Sequence, residues 1–316
     1  MTSAHPATAM RKAKVRLGDR IFSTGTVVAG SIILAVLAAV ALFLLMESLP
    51  ALVAKSGTLP HGAPNFLSYV GPLVFGTVWT AAIALVIAVP ISIGVALFIS
   101  HFAPRRLADF LGYVIDLLAA VPSVVFGLWG ILVLAPAVQP GYVWLNANLG
   151  WIPLFGGQVS GTGRTTLTVG IVLAVMILPI MTAVCREVFL QTPRLHEEAA
   201  LALGATRWEM IQMAVLPFAR SGMISATMLG LGRALGETLA VAMVLSPASI
   251  VSIFLVTSRN PNTIAGNIAL QFPEATGVSV NTLIASGLVL FVITLIVNIV
   301  ARYVINRRKE FSGANG

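Results

Sequence analysis

Between Lys55 and Arg105 the chain carries no Lys, Arg, Asp or Glu. A soluble domain cannot surround an uncharged stretch of that length, because its surface has to offer polar groups to water. A lipid bilayer asks for the opposite: about 20 apolar residues per helix, rising about 1.5 Å each, cross roughly 30 Å of hydrocarbon. With 58% hydrophobic and 9% charged residues over 316 positions, against about 25% charged in soluble domains, the chain reads as an all-α integral membrane protein.

Six stretches qualify as spans. The first, 25–46, follows Arg11, Lys12, Lys14, Arg16 and Arg20 and reads as a retained signal anchor. A cleavable signal peptide has a shorter apolar core and a small-residue cleavage site, whereas this run ends Met46-Glu47-Ser48. The others are 70–100 with a kink expected at Pro90, 107–138 interrupted at Pro122, 166–184, 221–245 and 282–300. The chain thus divides into a basic tail 1–24, the first transmembrane helix 25–46, a transmembrane domain 66–305 containing the connector 191–217, and a tail 306–316.

Orientation follows from the cations, since short loops rich in Lys and Arg stay in the cytoplasm. With the N-terminus inside, the inner segments hold the five N-terminal cations plus Arg105, Arg106, Arg186, Arg194, Arg207, Arg220, Arg302, Arg307, Arg308 and Lys309. The outer loops hold only Lys55, Arg164 and Arg259. Both termini are therefore expected in the cytoplasm, and the net charge of +8 expresses topology rather than nucleic-acid binding. Metal and redox chemistry find no support, because Cys185 is a lone cysteine and His5, His61, His101 and His196 are scattered. A membrane enzyme acting on lipids lacks clustered acidic or histidine residues. No Gly-Lys pair exists to form a phosphate-cradling loop, so any ATPase has to be a separate polypeptide.

The outer loops 140–164, with Trp144 and Trp151, and 246–281 are read as irregular connectors whose aromatics rest at the membrane interface or whose surface receives a soluble partner. On the inner side, 191–217 is written as two short helices. Thr192 is a cap for the first, with Pro193 in its first turn and Glu197 and Glu198 near its N-terminus; Gly204 ends it. Thr206 and Glu209 have capping-box spacing for the second, and Leu216-Pro217 closes the unit. Leu195, Ala199, Leu203, Trp208 and Ile211 exceed the apolar content of a solvated hairpin, so either another protein or the membrane covers it.

Within the fifth span, Arg233 and Glu237 interrupt an apolar run, at about 2.5 to 3.5 kcal/mol each on insertion scales. At about 100° per residue, Gly222, Ala226, Gly230, Arg233, Glu237 and Ala240 share one helical face. Small residues allow close helix contact. An arginine there is a bidentate match for an oxyanion, with the carboxylate offsetting its charge when no anion is present; a permanently paired Arg and Glu locking two helices is the other reading. Asp116, placed in the third span, is a weaker candidate for the path.

Glu198-Ala199-Ala200, Gly204 and Leu216-Pro217 resemble the E-A-A-x3-G-x9-I-x-L-P signature of ABC-importer permeases, with Ala214 standing where the pattern has Ile. Gly232-Arg233-Ala234-Leu235-Gly236-Glu237-Thr238-Leu239-Ala240-Val241 and Val121-Pro122-Ser123-Val124-Val125-Phe126-Gly127-Leu128-Trp129-Gly130 resemble the phosphate-specific permeases of that class, in their PstC branch. The resemblance implies a type I ABC importer permease fold with a cytoplasmic coupling-helix hairpin at 191–217, in a bacterial plasma membrane. It implies a PstA-like second permease, two copies of a PstB-like ATP-binding subunit that carries the ATP and Mg, and a PstS-like phosphate-binding protein. It also implies that Arg233 and Glu237 matter for phosphate passage and that this chain binds no cofactor. On residues alone, an ATP-independent anion transporter or channel stays open as the alternative.

Overall fold

The computed structural model describes residues 17–54 and 57–309. His5, Arg11, Lys12, Lys14, Arg16, Lys55 and the tails 1–16 and 310–316 lie outside the described residues, as do the side chains of His61, Arg307, Arg308 and Lys309. The chain forms two units, Met1–Met46 and Glu47–Gly316. Helix α1 (Leu17–Leu52) starts in the first unit, and its residues there include exposed Ile21, Ile33, Leu37 and Phe43, a surface suited to lipid rather than water.

The second unit is helical with minor exceptions. Helix α2 (Phe66–Leu97) begins in a capping box, in which Asn65 Oδ1 accepts from the Ser68 N–H at 2.8 Å. It passes through Pro72 and Pro90 and continues into a π turn, Phe98–Phe102. The third span differs from the expected 107–138. Residues Arg105–Ala119 form a separate helix, α3, and the span proper is Ser123–Leu149. Pro122 has no N–H to bond back into α3 and disfavours helical backbone at Val121, so one helix ends and another starts there. That second piece runs through α4 (Ser123–Trp129), a π turn (Gly130–Leu134) and α5 (Ala135–Leu149). Trp144 is thus helical, and only 150–164 is irregular.

Helix α6 (Thr166–Leu190) is the core. Val169, Val172, Leu173, Met176, Ile177 and Met181 are all buried, packed against Ala81, Ala84 and Ala88 of α2. Alanines at that spacing line one helix face and let the two helices approach closely. Next come α7 (Arg194–Ala202), α8 (Arg207–Met210) and α9 (Leu216–Gly236). After them stand α10 (Leu239–Val244), a two-residue parallel pair β1 (Pro247–Ala248) and β2 (Asn260–Pro261), α11 (Ile264–Gln271) and α12 (Val278–Lys309). Six helices among the described residues are long and apolar enough to cross a membrane.

The two stretches that carry the phosphate-permease resemblance pack on each other. A Cβ on Gly127 would stand 3.1 Å from Ala240 Cα and 3.0 Å from Met243 Sδ, and one on Gly130 would stand 2.7 Å from a Val172 methyl and 2.8 Å from a Val244 methyl. Gly130→Val should therefore destabilise the protein by about 1–3 kcal/mol through overpacking, read as a lower unfolding temperature in detergent. An unchanged temperature would show that the turn at Gly130 is free to move away from α6 and α10.

Candidate functional site

The fifth span begins lower and ends sooner than expected. From Arg207 the helix runs unbroken through α8, a π turn (Ile211–Val215) and α9 to Gly236. At Glu237 the backbone is extended, with φ −69° and ψ 126°, and a new helix starts at Leu239. Gly222, Ala226 and Gly230 do lie on one face of α9. That face packs on α6, where Gly222 meets Val188 and a Cβ on Gly230 would stand 2.6 Å from Met181 Sδ. Glu237 and Ala240 leave the arc because the helix stops between them and Arg233.

Arg233 lines a cavity of about 640 Å³ together with Ile180 of α6, Ser225, Met228, Leu229 and Gly232 of α9, and Asn298 of α12. Its Nε is buried and has no hydrogen-bond partner. Among the described residues no carboxylate stands within ion-pair distance of its guanidinium. A buried donor left without an acceptor is costly.

Glu237 is used differently from the expected ion pair on a shared face. It is 9% exposed, and its Oε1 accepts from the Ala240 N–H at 3.1 Å, holding the first turn of α10. Asp116, expected inside the third span, is exposed on α3 and outside the candidate spans.

The polar wall of the cavity was not singled out from sequence. Asn298 is a lone carboxamide in the apolar run of α12, and a polar side chain inside a span is itself the available signal. Ser225 donates to the Ser221 carbonyl at 2.9 Å. Arg164, counted above only as a loop cation, closes the far end of α10: Nε donates to the Val244 carbonyl at 3.3 Å, and Nη2 donates to those of Met243 and Leu245 at 3.1 and 3.0 Å. Asn260 fixes that junction by donating to the Arg164 and Ser246 carbonyls at 3.1 and 3.2 Å.

The 191–217 segment is a hairpin, with details that sequence did not give. Pro193, not Thr192, occupies the cap position of α7, and Thr192 Oγ1 is buried without a partner. Gly204 turns the chain at φ +86°, which L side chains rarely adopt. Thr206 and Glu209 form the expected capping box, the Thr206 N–H donating to Glu209 Oε2 at 2.7 Å. Glu198 and Ala199 are exposed, while Ala200 is buried. Leu195, Leu203 and Trp208 are exposed, but Ile211 is fully buried beside Phe189 and Val215. Leu216-Pro217 does not close the unit: Pro217 sits in the first turn of α9, where its missing N–H is tolerated. The second limb is therefore continuous with the helix that carries Arg233. The first limb touches the end of α2, where His101 Nε2 stands 3.7 Å from Glu197 Oε1.

The described residues thus form a helical membrane component with an Arg233-lined cavity against its spans and a hairpin continuous with one of them. Residues 88–310 match the family described as binding-protein-dependent transport system inner membrane component. The chain is 46% identical over 297 residues to the phosphate transport system permease protein PstC 2 of Mycobacterium bovis, covering 91% of each. It is 47% identical over 280 residues to PstC of Mycobacterium leprae, covering 83% of this chain and 85% of that one. In fold it resembles a chain of a bacterial ABC transporter involved in import of the acidic polysaccharide alginate, with TM-score 0.58, 15% identity, and 91% of this chain and 99% of that one covered. The chain belongs to the PstC family of membrane permease subunits.

Proposed function

We propose that this chain is the transmembrane permease subunit of an ATP-driven importer of inorganic phosphate, and that Arg233 is the anion contact of its translocation path. The observation that carries the reading is the buried, unpaired Nε of Arg233 on a cavity between spans, and the names of the relatives supply the anion. A second, PstA-like permease completes the path. Two PstB-like subunits bind ATP and Mg, and a PstS-like protein delivers phosphate from outside. Both termini lie in the cytoplasm of a bacterial cell.

The hairpin 191–217 is the coupling element. Glu198, Ala199, Ala200 and Gly204 set its exposed corner, and Leu216 and Pro217 join it to α9, so displacement of the hairpin by the ATPase pair is carried along one helix toward Arg233. Exposed Leu195, Leu203 and Trp208 form the surface that the ATPase covers. Glu237 marks where the fifth span ends and re-pairs with Arg233 when the path changes state, while Asp116 stays at the surface of α3. Labelled-phosphate uptake in vesicles holding the complete transporter tests the reading. Uptake that requires both ATP and the PstB-like subunit is expected, and uptake that persists without them would replace the importer with a secondary transporter.

A further inference from the structure

The hairpin's first limb meets the rest of the molecule on a face that its exposed corner does not use. On α7, Glu197 and Ala200 stand one turn apart on one side of the helix, while Leu195, Glu198 and Ala199 are exposed. Ala200 is buried with Ala96 and Leu97 of α2, Phe189 of α6 and Ile211 of the second limb. Beside it, Glu197 Oε1 stands 3.7 Å from His101 Nε2, with the two side chains only 23% and 9% exposed. His101 lies in the π turn that ends the second span. That distance is too long for a hydrogen bond but within reach of an ion pair, so the contact stabilises chiefly when the imidazole is charged.

The surroundings of the ring suit its charged form. His101 Nδ1 lies 2.7 Å from Ser100 Oγ, and the Ser100 hydroxyl donates to the Ala96 carbonyl at 2.8 Å. A protonated imidazole donates from both nitrogens: Nδ1 then donates to Ser100 Oγ, and Nε2 is turned to the Glu197 carboxylate. The π turn packs against α2, α3 and α6. Helix α2 brings no charged side chain. Helix α3 carries exposed Arg105, Arg106, Asp109 and Asp116, and α7 carries exposed Arg194, His196 and Glu198. Helix α6 carries exposed Glu187 and half-exposed Arg186, whose guanidinium covers Gly112 of α3. Among the described residues, only Glu197 stands within ion-pair distance of His101.

We infer that His101 and Glu197 form a proton-dependent tie that fastens the first limb of the hairpin to the second span, so that displacement of the hairpin reaches α2 as well as α9. The inference rests on the reading of the hairpin as the coupling element, and both side chains act as positioning residues for transport. A histidine ordinarily changes charge between about pH 5 and pH 8, where a glutamate is ionised. The tie is engaged when the cytoplasmic side is acidic enough to protonate His101, and it slackens as pH rises.

The test is phosphate uptake per ATP hydrolysed by the complete transporter in vesicles, with pH fixed outside and the inner buffer stepped from about pH 6 to about pH 8. The wild type should move about threefold more phosphate per ATP at the acid end, the scale of a half-exposed ion pair. Glu197→Gln and His101→Gln should each flatten that response at the alkaline value. The double variant should lose no more than either single one, because removing one partner already releases the tie. Glu197→Gln keeps the size of the side chain, so a purely structural role would lower the ratio at every pH alike. A flat wild-type profile, a full pH response in Glu197→Gln, or losses that add in the double variant would overturn the tie. Gly204→Pro in the same vesicles reads the hairpin itself. Wild-type uptake per ATP in that variant would remove the coupling reading and the tie with it, whereas uncoupling there beside an intact pH response in Glu197→Gln would remove the tie alone.

Discussion

Arg233→Ala is expected to lower ATP-dependent phosphate uptake by about a hundredfold or more while leaving the protein folded in the membrane. The guanidinium offers several charge-assisted hydrogen bonds at about 1.5–3 kcal/mol each, and its Nε is buried without a partner. Its removal takes away a buried donor that has no acceptor, so stability should hold or rise. Arg233→Lys keeps the charge but loses the planar fork and should recover only part of the rate. Glu237→Gln separates the arginine from its neighbour. The Glu237 carboxylate accepts from Ala240 N–H at 3.1 Å, a contact that an amide oxygen can also make, so uptake should fall much less than in Arg233→Ala. Equal losses in the two variants would mean that the pair acts as one unit, and normal uptake in Arg233→Ala would remove the arginine from the path.

Gly204→Pro should separate ATP hydrolysis from transport, with uptake reduced about tenfold or more and ATPase activity of the assembled complex no longer stimulated by the phosphate-binding protein. Proline fixes φ near −65°, whereas the hairpin corner needs +86°. Proline also removes the N–H that donates to the Leu201 carbonyl at 3.0 Å. The corner must therefore rebuild, shifting α7 relative to α8 just where Leu203 and Trp208 are exposed. Glu198→Lys tests the same surface without backbone strain, because Glu198 is exposed. Wild-type coupling in both variants would take the hairpin out of the ATPase interface.

Much of this architecture is written in local sequence. Apolar runs of about 20 residues are sufficient to specify spans, since a backbone in hydrocarbon has to satisfy its own hydrogen bonds. The Thr206–Glu209 box and the Gly204 turn are equally local, each depending on residues within one helical turn. Arg233 stood out because a cation in a span is rare. The expected Arg233–Glu237 face failed for a non-local reason. Helical periodicity continues across Gly236, but the chain breaks there, and α10 packs Ala240 and Met243 against Gly127 of α4 and Val244 against Gly130 of the following π turn, with Arg164 capping its far end.

The sequence by itself determined the membrane class, the number of spans and the capped hairpin, because hydrophobic length, capping and turn chemistry act over a few residues. Only the tertiary structure decided that, among the described residues, no carboxylate stands within ion-pair distance of Arg233, that Asn298 and Ser225 line its cavity, and that the hairpin runs directly into the arginine's helix. Those relations join residues as far apart in the chain as Ile180 and Asn298, and they come into being only when the helices pack and the buried polar groups find or lack partners.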